Sequence, residues 1–80
     1  MATILYFGPA RERTGIDSEE LTLSGTATLA ELWDRLIDHR PELAPLRESC
    51  RVAVDQEYAR GDVAIDDGSE VAIIPPVAGG

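Results

Sequence analysis

The residues best suited to chemistry stand at the C-terminus. The sequence ends with two prolines, two small apolar residues and two glycines: Pro75, Pro76, Val77, Ala78, Gly79 and Gly80. Prolines cannot continue a central sheet ladder and favour an extended path, so this stretch could reach roughly 20 Å from the body of the protein. Glycines have no Cβ and pass through narrow channels. The pattern predicts a stiff stalk that presents the carboxylate of Gly80 to another protein.

A terminal carboxylate becomes reactive only after activation. Adenylation by ATP would convert the carboxylate of Gly80 into a mixed anhydride with a good leaving group. A sulfur donor could then displace AMP and leave a terminal thiocarboxylate, whereas an amine would form an isopeptide bond. Chain ends without a function are often disordered and also carry small residues, so the tail alone does not decide between function and fraying.

The rest of the composition is poorly equipped for catalysis. The chain has 15 acidic and 7 basic residues, a formal net charge of −8, and all its basic residues are arginines. Without lysine there is no Schiff base and no P-loop lysine. The acidic balance argues against nucleic acid as a partner, because such a partner requires clustered cations.

The single cysteine and the single histidine also receive structural predictions. One cysteine cannot form an internal disulfide, and Cys50 with His39 cannot supply a zinc cluster, so we expect no bound metal or permanent cofactor. Cys50 alternates with Val52 and Val54, which favours an inert core position. His39 lies late in a predicted helix and is interpreted as a solvated residue or one favoured by the helix dipole.

The length and the hydropathy pattern predict one domain over residues 1–80, with a flexible tail at 75–80. The apolar N-terminal run has no positive flank and is interrupted by Gly8 and Pro9, which argues against a signal peptide. No segment approaches the length of a membrane span. We therefore expect a cytoplasmic protein without a membrane partner.

Apolar periodicity predicts the elements of the first half. Thr3–Phe7 is apolar on both faces, as in a central strand, and Glu20–Leu23 alternates as in a half-buried strand. Between them, Ala10–Thr14 suits a helical turn that Gly15 closes.

The main helix is predicted to begin at Thr28 and to end before Pro41. Glu31 completes a capping box with Thr28, and a proline disfavours helical geometry at the residue before it. The apolar stripe of this helix contains Leu29, Leu32, Trp33, Leu36 and Ile37.

The second half is predicted to return to a sheet. The connector 41–49 would carry Leu43 and Leu46 into the core, and a third strand would span Cys50–Val54. Short extended pieces follow at 57–59 and 63–65, separated from their neighbours by turns at 55–56 and 66–69. A β-branched last strand covers 71–74.

This order predicts an α+β fold of the β-grasp, or ubiquitin-like, type. A hairpin, a crossover helix and returning strands would form a mixed sheet with the main helix packed on one face and an extended C-terminal tail. In that arrangement the first and last strands are adjacent, parallel and central. Phe7 and Ile74 are then expected at the same end of the sheet, where the tail begins.

Three segments of the chain resemble one known family. The segments 6–15, 52–56 and 67–80, above all the Pro-Pro-Val-Ala-Gly-Gly ending, look like the molybdopterin synthase small subunit (MoaD) within the MoaD/ThiS sulfur-carrier family. The resemblance implies a non-catalytic sulfur carrier. Gly80 would be adenylated by a MoeB-like enzyme and converted to a thiocarboxylate. The tail would then enter a MoaE-like large subunit, in a heterotetramer, and deliver sulfur to cyclic pyranopterin monophosphate.

The resemblance also implies a contact surface for partners near the tail. By analogy with the family, it includes Phe7, Arg11, Tyr58 and Ile74. The predicted strand order supports this surface independently for Phe7 and Ile74.

Other functions remain open from the residues alone. A ubiquitin-like modifier joined to substrate lysines through Gly80 is one alternative, although a chain without lysine could not build polymers on itself. A thiamine-type (ThiS-like) sulfur carrier is another, and a plain interaction module with an inert tail is the third.

Overall fold

The computed structural model describes residues 1–60 and 63–75, which form a mixed five-stranded sheet with helices. The strands are β1 (Ala2–Tyr6), β2 (Ser18–Leu21), β3 (Arg51–Val54), β4 (Glu57–Tyr58) and β5 (Glu70–Ile74). The helices are α1 (Pro9–Thr14), α2 (Leu29–His39) and a 3₁₀ helix (Pro41–Leu46).

The strand order across the sheet is β2-β1-β5-β3-β4. The two central strands, β1 and β5, run parallel, with Ile4 opposite Val71 and Tyr6 opposite Ile73. The other neighbours pair antiparallel. This topology confirms the predicted β-grasp fold, including the central position of the first and last strands.

The main helix forms where the sequence predicts it. The hydroxyl of Thr28 accepts a hydrogen bond from the Glu31 N–H at 3.1 Å, and the Thr28 N–H donates to the Glu31 carboxylate at 2.9 Å. This reciprocal capping box satisfies two N–H groups that the first turn leaves without helical partners. Leu32, Trp33 and Leu36 are buried, whereas the flanking members of the stripe are partly buried.

One face of the sheet forms the core with α2 and the 3₁₀ helix. Side chains of each strand alternate between faces, so the core receives Ile4 from β1 and Val71 and Ile73 from β5, all fully buried. The 3₁₀ helix contributes Leu43 and Leu46, as predicted for the connector. Within residues 1–60 and 63–75, no helix covers the opposite face. We call it the open face: Leu5, Arg51, Ala53, Tyr58, Glu70, Ala72 and Ile74, with Phe7 just beyond β1.

Several element boundaries differ from prediction for reasons of pairing. The second strand lies at Ser18–Leu21 rather than at 20–23. Its position is set by β1, which begins at Ala2 and pairs that residue with Leu21. Leu23 is nevertheless buried, and its N–H donates to the Asp67 carboxylate at 2.9 Å. The predicted short strand at 63–65 is reduced to one bridge between Ile65 and Ala27.

Candidate functional site

The site is the place where the chain leaves the sheet. The central strand β5 ends at Ile74, and Pro75 follows it. On the neighbouring strand, the Phe7 N–H still donates to the Ile73 carbonyl at 3.2 Å, although Phe7 lies outside β1. Because two parallel strands end together here, the sheet fixes the point at which the tail begins, at Pro75.

Gly8 allows the first proline of the tail to pack closely. A Cβ on Gly8 would lie 3.1 Å from Pro75 Cγ, tighter than ordinary van der Waals contact. Gly8 also has a φ of 52°, a region that side chains disfavour. The small residue thus seats Pro75 against the junction of β1 and α1.

The rest of the tail lies outside the described residues. Pro76, Val77, Ala78, Gly79 and Gly80 belong to that segment, so the stalk and the reacting carboxylate stay predictions. The structure describes the base of the tail, at Ile74 and Pro75.

An apolar groove crosses the open face beside this base. It encloses about 340 Å³ and is lined by Leu5, Phe7, Ala53, Gln56, Tyr58, Glu70, Ala72 and Ile74. Phe7 and Tyr58 each leave 47% of their surface exposed, and Ile74 is partly exposed. The predicted contact residues were Phe7, Arg11, Tyr58 and Ile74. The structure brings Phe7, Tyr58 and Ile74 together at this groove. Exposed apolar clusters of this kind are typical of protein interaction sites.

Arg11, the fourth predicted contact residue, lies on the other side of Phe7. It lines a second groove that shares Leu5 and Phe7 with the first. Its Nε lies 2.6 Å from the Asp17 carboxylate, and both side chains are largely exposed. Arg11 is therefore adjacent to the apolar groove but not part of it.

Sequence reasoning overlooked Arg51, a cation on the open face. Its guanidinium carbon lies 4.5 Å from the centre of the Tyr58 ring, which is cation–π geometry. Arg51 is also opposite Ile74 in the register of β3 and β5. The hairpin of β3 and β4, with positive φ at Asp55 and Gln56, pairs Ala53 with Tyr58 and so places Arg51 diagonally beside that ring. The turn predicted at 55–56 is the sequence feature from which this placement of Arg51 could have been inferred.

Sequence reasoning also overlooked a polar cluster on the core side. The Glu19 carboxylate accepts hydrogen bonds from the Tyr6 hydroxyl and the Arg40 guanidinium, and it contacts His39 Nε2 at 3.0 Å. Burial raises the pKa of Glu19, but these hydrogen bonds outweigh it and lower the pKa to about 2. Burial, followed by the hydrogen bond to Glu19, raises the pKa of Tyr6.

His39 is exposed in the last turn of α2, as predicted, and the structure adds its contact with the Glu19 carboxylate. The cluster joins the end of α2 to the edge strand β2, because His39 and Arg40 both contact Glu19. Its members face the core side, whereas the tail groove lies on the open face. The cluster therefore stabilises the fold and has no place at the tail.

The remaining candidate residues have structural roles. Cys50 is buried, and burial raises the pKa of its thiol, which agrees with an inert core position. Asp66 accepts a turn hydrogen bond from the Gly68 N–H, and Asp67 accepts a long-range hydrogen bond from the Leu23 N–H. Within residues 1–60 and 63–75, no three potential ligands cluster as a metal site would require. In the same ranges, no helix has the length and apolar character for a membrane crossing.

Comparisons with known proteins agree on one family. The sequence model of the ThiS family matches residues 4–80. The chain is 38% identical over 79 residues to the molybdopterin synthase sulfur carrier subunit of Chlamydomonas reinhardtii, covering 96% of this chain and 95% of that protein. It is 36% identical over 80 residues to the human protein of the same name, covering 96% and 91%.

Solved structures confirm the fold. The small archaeal modifier protein 1 of Haloferax volcanii superposes with a TM-score of 0.82 at 25% identity, over 95% of this chain and 97% of that one. A chain in the complex of subunits 1 and 2 of the molybdopterin-converting factor of Helicobacter pylori gives a TM-score of 0.70 at 20% identity, over 99% and 97%. With its mixed sheet and single main helix, this is a β-grasp protein. The chain belongs to the ThiS family.

Proposed function

We propose that Gly80 carries sulfur as a terminal thiocarboxylate in this chain, which is a sulfur carrier subunit in molybdenum cofactor biosynthesis. Similarity over nearly the whole chain to sulfur carrier subunits of molybdopterin synthase supports the function. One structural observation supports the use of the terminus: the central strand β5 leads into the tail beside an exposed apolar groove. The chain is the non-catalytic subunit, so its partners supply the catalysis.

The proposed chemistry proceeds in three steps. A carboxylate oxygen of Gly80 attacks the α-phosphate of ATP, which releases pyrophosphate and leaves an acyl adenylate. A sulfur nucleophile at the oxidation level of hydrosulfide then displaces AMP and leaves the thiocarboxylate. Transfer of that sulfur to the acceptor, with hydrolysis of the acyl group, returns Gly80 as a carboxylate. A MoeB-like enzyme would perform the adenylation.

The proposed receiver is a MoaE-like large subunit. The tail, from Pro75 to Gly80, would enter its active site and deliver sulfur to cyclic pyranopterin monophosphate. A pair of proteins of this type is known from Helicobacter pylori, where subunits 1 and 2 of the molybdopterin-converting factor form a complex. We propose a heterotetramer with two carriers, in which Phe7, Tyr58 and Ile74 contact the large subunit and Arg11 contacts it at the edge.

Deletion of Gly80 tests the function. The shortened chain should gain no sulfur and should not support sulfur transfer in a reconstituted synthase. It should unfold at the same urea concentration as the full chain, because the buried core of the described residues is formed within residues 2–73. A length-matched Gly80→Ala variant separates the loss of length from the loss of a terminus without Cβ. Sulfur transfer by the shortened chain would contradict the proposal.

A second candidate, protein conjugation, is favoured by the likeness to a small archaeal modifier protein. That function uses the same activated terminus but transfers it to amines. Covalent adducts between Gly80 and lysines of other proteins would support it, and their absence alongside a thiocarboxylate favours the carrier.

A further inference from the structure

Arg51 is an exposed charged group on the open face, beside the groove and next to the base of the tail. It lies directly opposite Ile74, the last residue of β5 before the tail. Its guanidinium rests on the Tyr58 ring, which itself lines the apolar groove. A protein that admits the tail contacts the residues around its base, so it contacts Arg51 as well.

The guanidinium has no anionic partner within the described part of the chain. The ion pairs found there use Arg11, Arg40 and Arg47 but not Arg51. The Tyr58 ring covers one face of the guanidinium and leaves its N–H edge directed elsewhere. Those donors are hydrated as long as the open face is free.

Docking of a purely apolar partner would remove that water without replacing it. A buried charge without a partner is strongly destabilising, whereas a carboxylate opposite an arginine forms two parallel hydrogen bonds. The aromatic ring holds the guanidinium plane in place, which reduces the entropy lost when such a pair forms. Tyr58 and Ile74, which flank Arg51, also line the largely apolar groove, so a partner that covers the groove would shield this pair from solvent.

We propose that Arg51, held by Tyr58, is a specificity-determining residue that pairs with a carboxylate of the large synthase subunit at the base of the tail. The inference rests on the proposed function, because it assumes that the open face receives that subunit. The partner surface then consists of apolar side chains around one acidic residue. The carboxylate fixes the orientation of the carrier, and the apolar contacts supply most of the affinity.

Arg51→Met tests the inference, because methionine keeps the length and apolar contact of the side chain but removes the charge. Calorimetric titration of the full-length carrier into the large subunit should show binding at least about 30-fold weaker, with a weaker dependence on salt. Arg51→Lys should restore part of the affinity. The control is Arg35→Met, an exposed arginine on α2 on the other side of the sheet, which should change binding by no more than about twofold.

Unchanged or tighter binding of Arg51→Met would overturn the inference, since it would mean that the arginine stays hydrated at the rim. Two other results would also overturn it: a 30-fold effect only on adenylation by the activating enzyme, or a stable dimer of the carrier alone through this face. Failure of the proposed function is distinguishable, because the wild-type chain would then neither acquire sulfur nor bind the large subunit.

Discussion

Replacing Phe7 with alanine measures how much the open face contributes to docking. Phe7 leaves 47% of its surface exposed beside the base of the tail. For an aromatic side chain this is roughly 90 Å², and its burial at about 25 cal/mol per Å² is worth about 2 kcal/mol. We therefore expect Phe7→Ala to weaken binding to the large subunit about 30-fold.

The assay is calorimetric titration with the large subunit, accompanied by urea unfolding of each variant. Phe7→Leu is the matched variant, because it keeps most of the apolar area and should bind with an affinity close to that of the original chain. Alanine should also cost some stability, since half of the ring is already buried, but the chain should stay folded. Binding of Phe7→Ala within about twofold of the original would refute the use of this face.

Two further predictions concern stability. The pKa of Glu19 is lowered from 4.5 to about 2 in the folded chain, so its contribution is complete above pH 4.5 and is lost as the pH falls towards 2. Urea unfolding of the original chain should show this loss of stability, about 2 kcal/mol after allowance for screening. Glu19→Gln should abolish this part of the pH dependence. An unchanged pH profile of stability in the variant would contradict the stabilising role of the Glu19 cluster. Thr28→Ala removes the capping box and should lower the free energy of unfolding by about 1 kcal/mol, whereas Thr26→Ala, outside the cap, should not. Equal effects of the two threonine variants would argue against the cap.

The features that the sequence predicts well follow either from a local pattern or from the order of the strands. The helix α2 follows from an apolar stripe and a cap at Thr28, both readable within a few turns. The proximity of Phe7 to Ile74 follows from placing two parallel strands side by side, and the register of Tyr6 with Ile73 confirms it. In each case one physical rule decides the outcome.

Two of the features that the sequence did not predict depend on distant pairings. The second strand is shifted by two residues because its register is set by where β1 begins, which its own alternation does not reveal. Glu19 meets His39 across 20 positions of sequence, and nothing in either segment identifies the other. Arg51 and Tyr58 were within reach of a hairpin argument, since a two-residue turn fixes their diagonal pairing.

The most direct test of the account is the intact mass of the chain purified from its own host. A fraction of the chain should have a mass increased by the exchange of one oxygen for sulfur, and fragmentation should locate the change at Gly80. Treatment with the large subunit and its pterin substrate should return that fraction to the carboxylate. A chain found only as the carboxylate while the cell makes molybdenum cofactor, or attached through Gly80 to lysines of other proteins, would contradict the central claim.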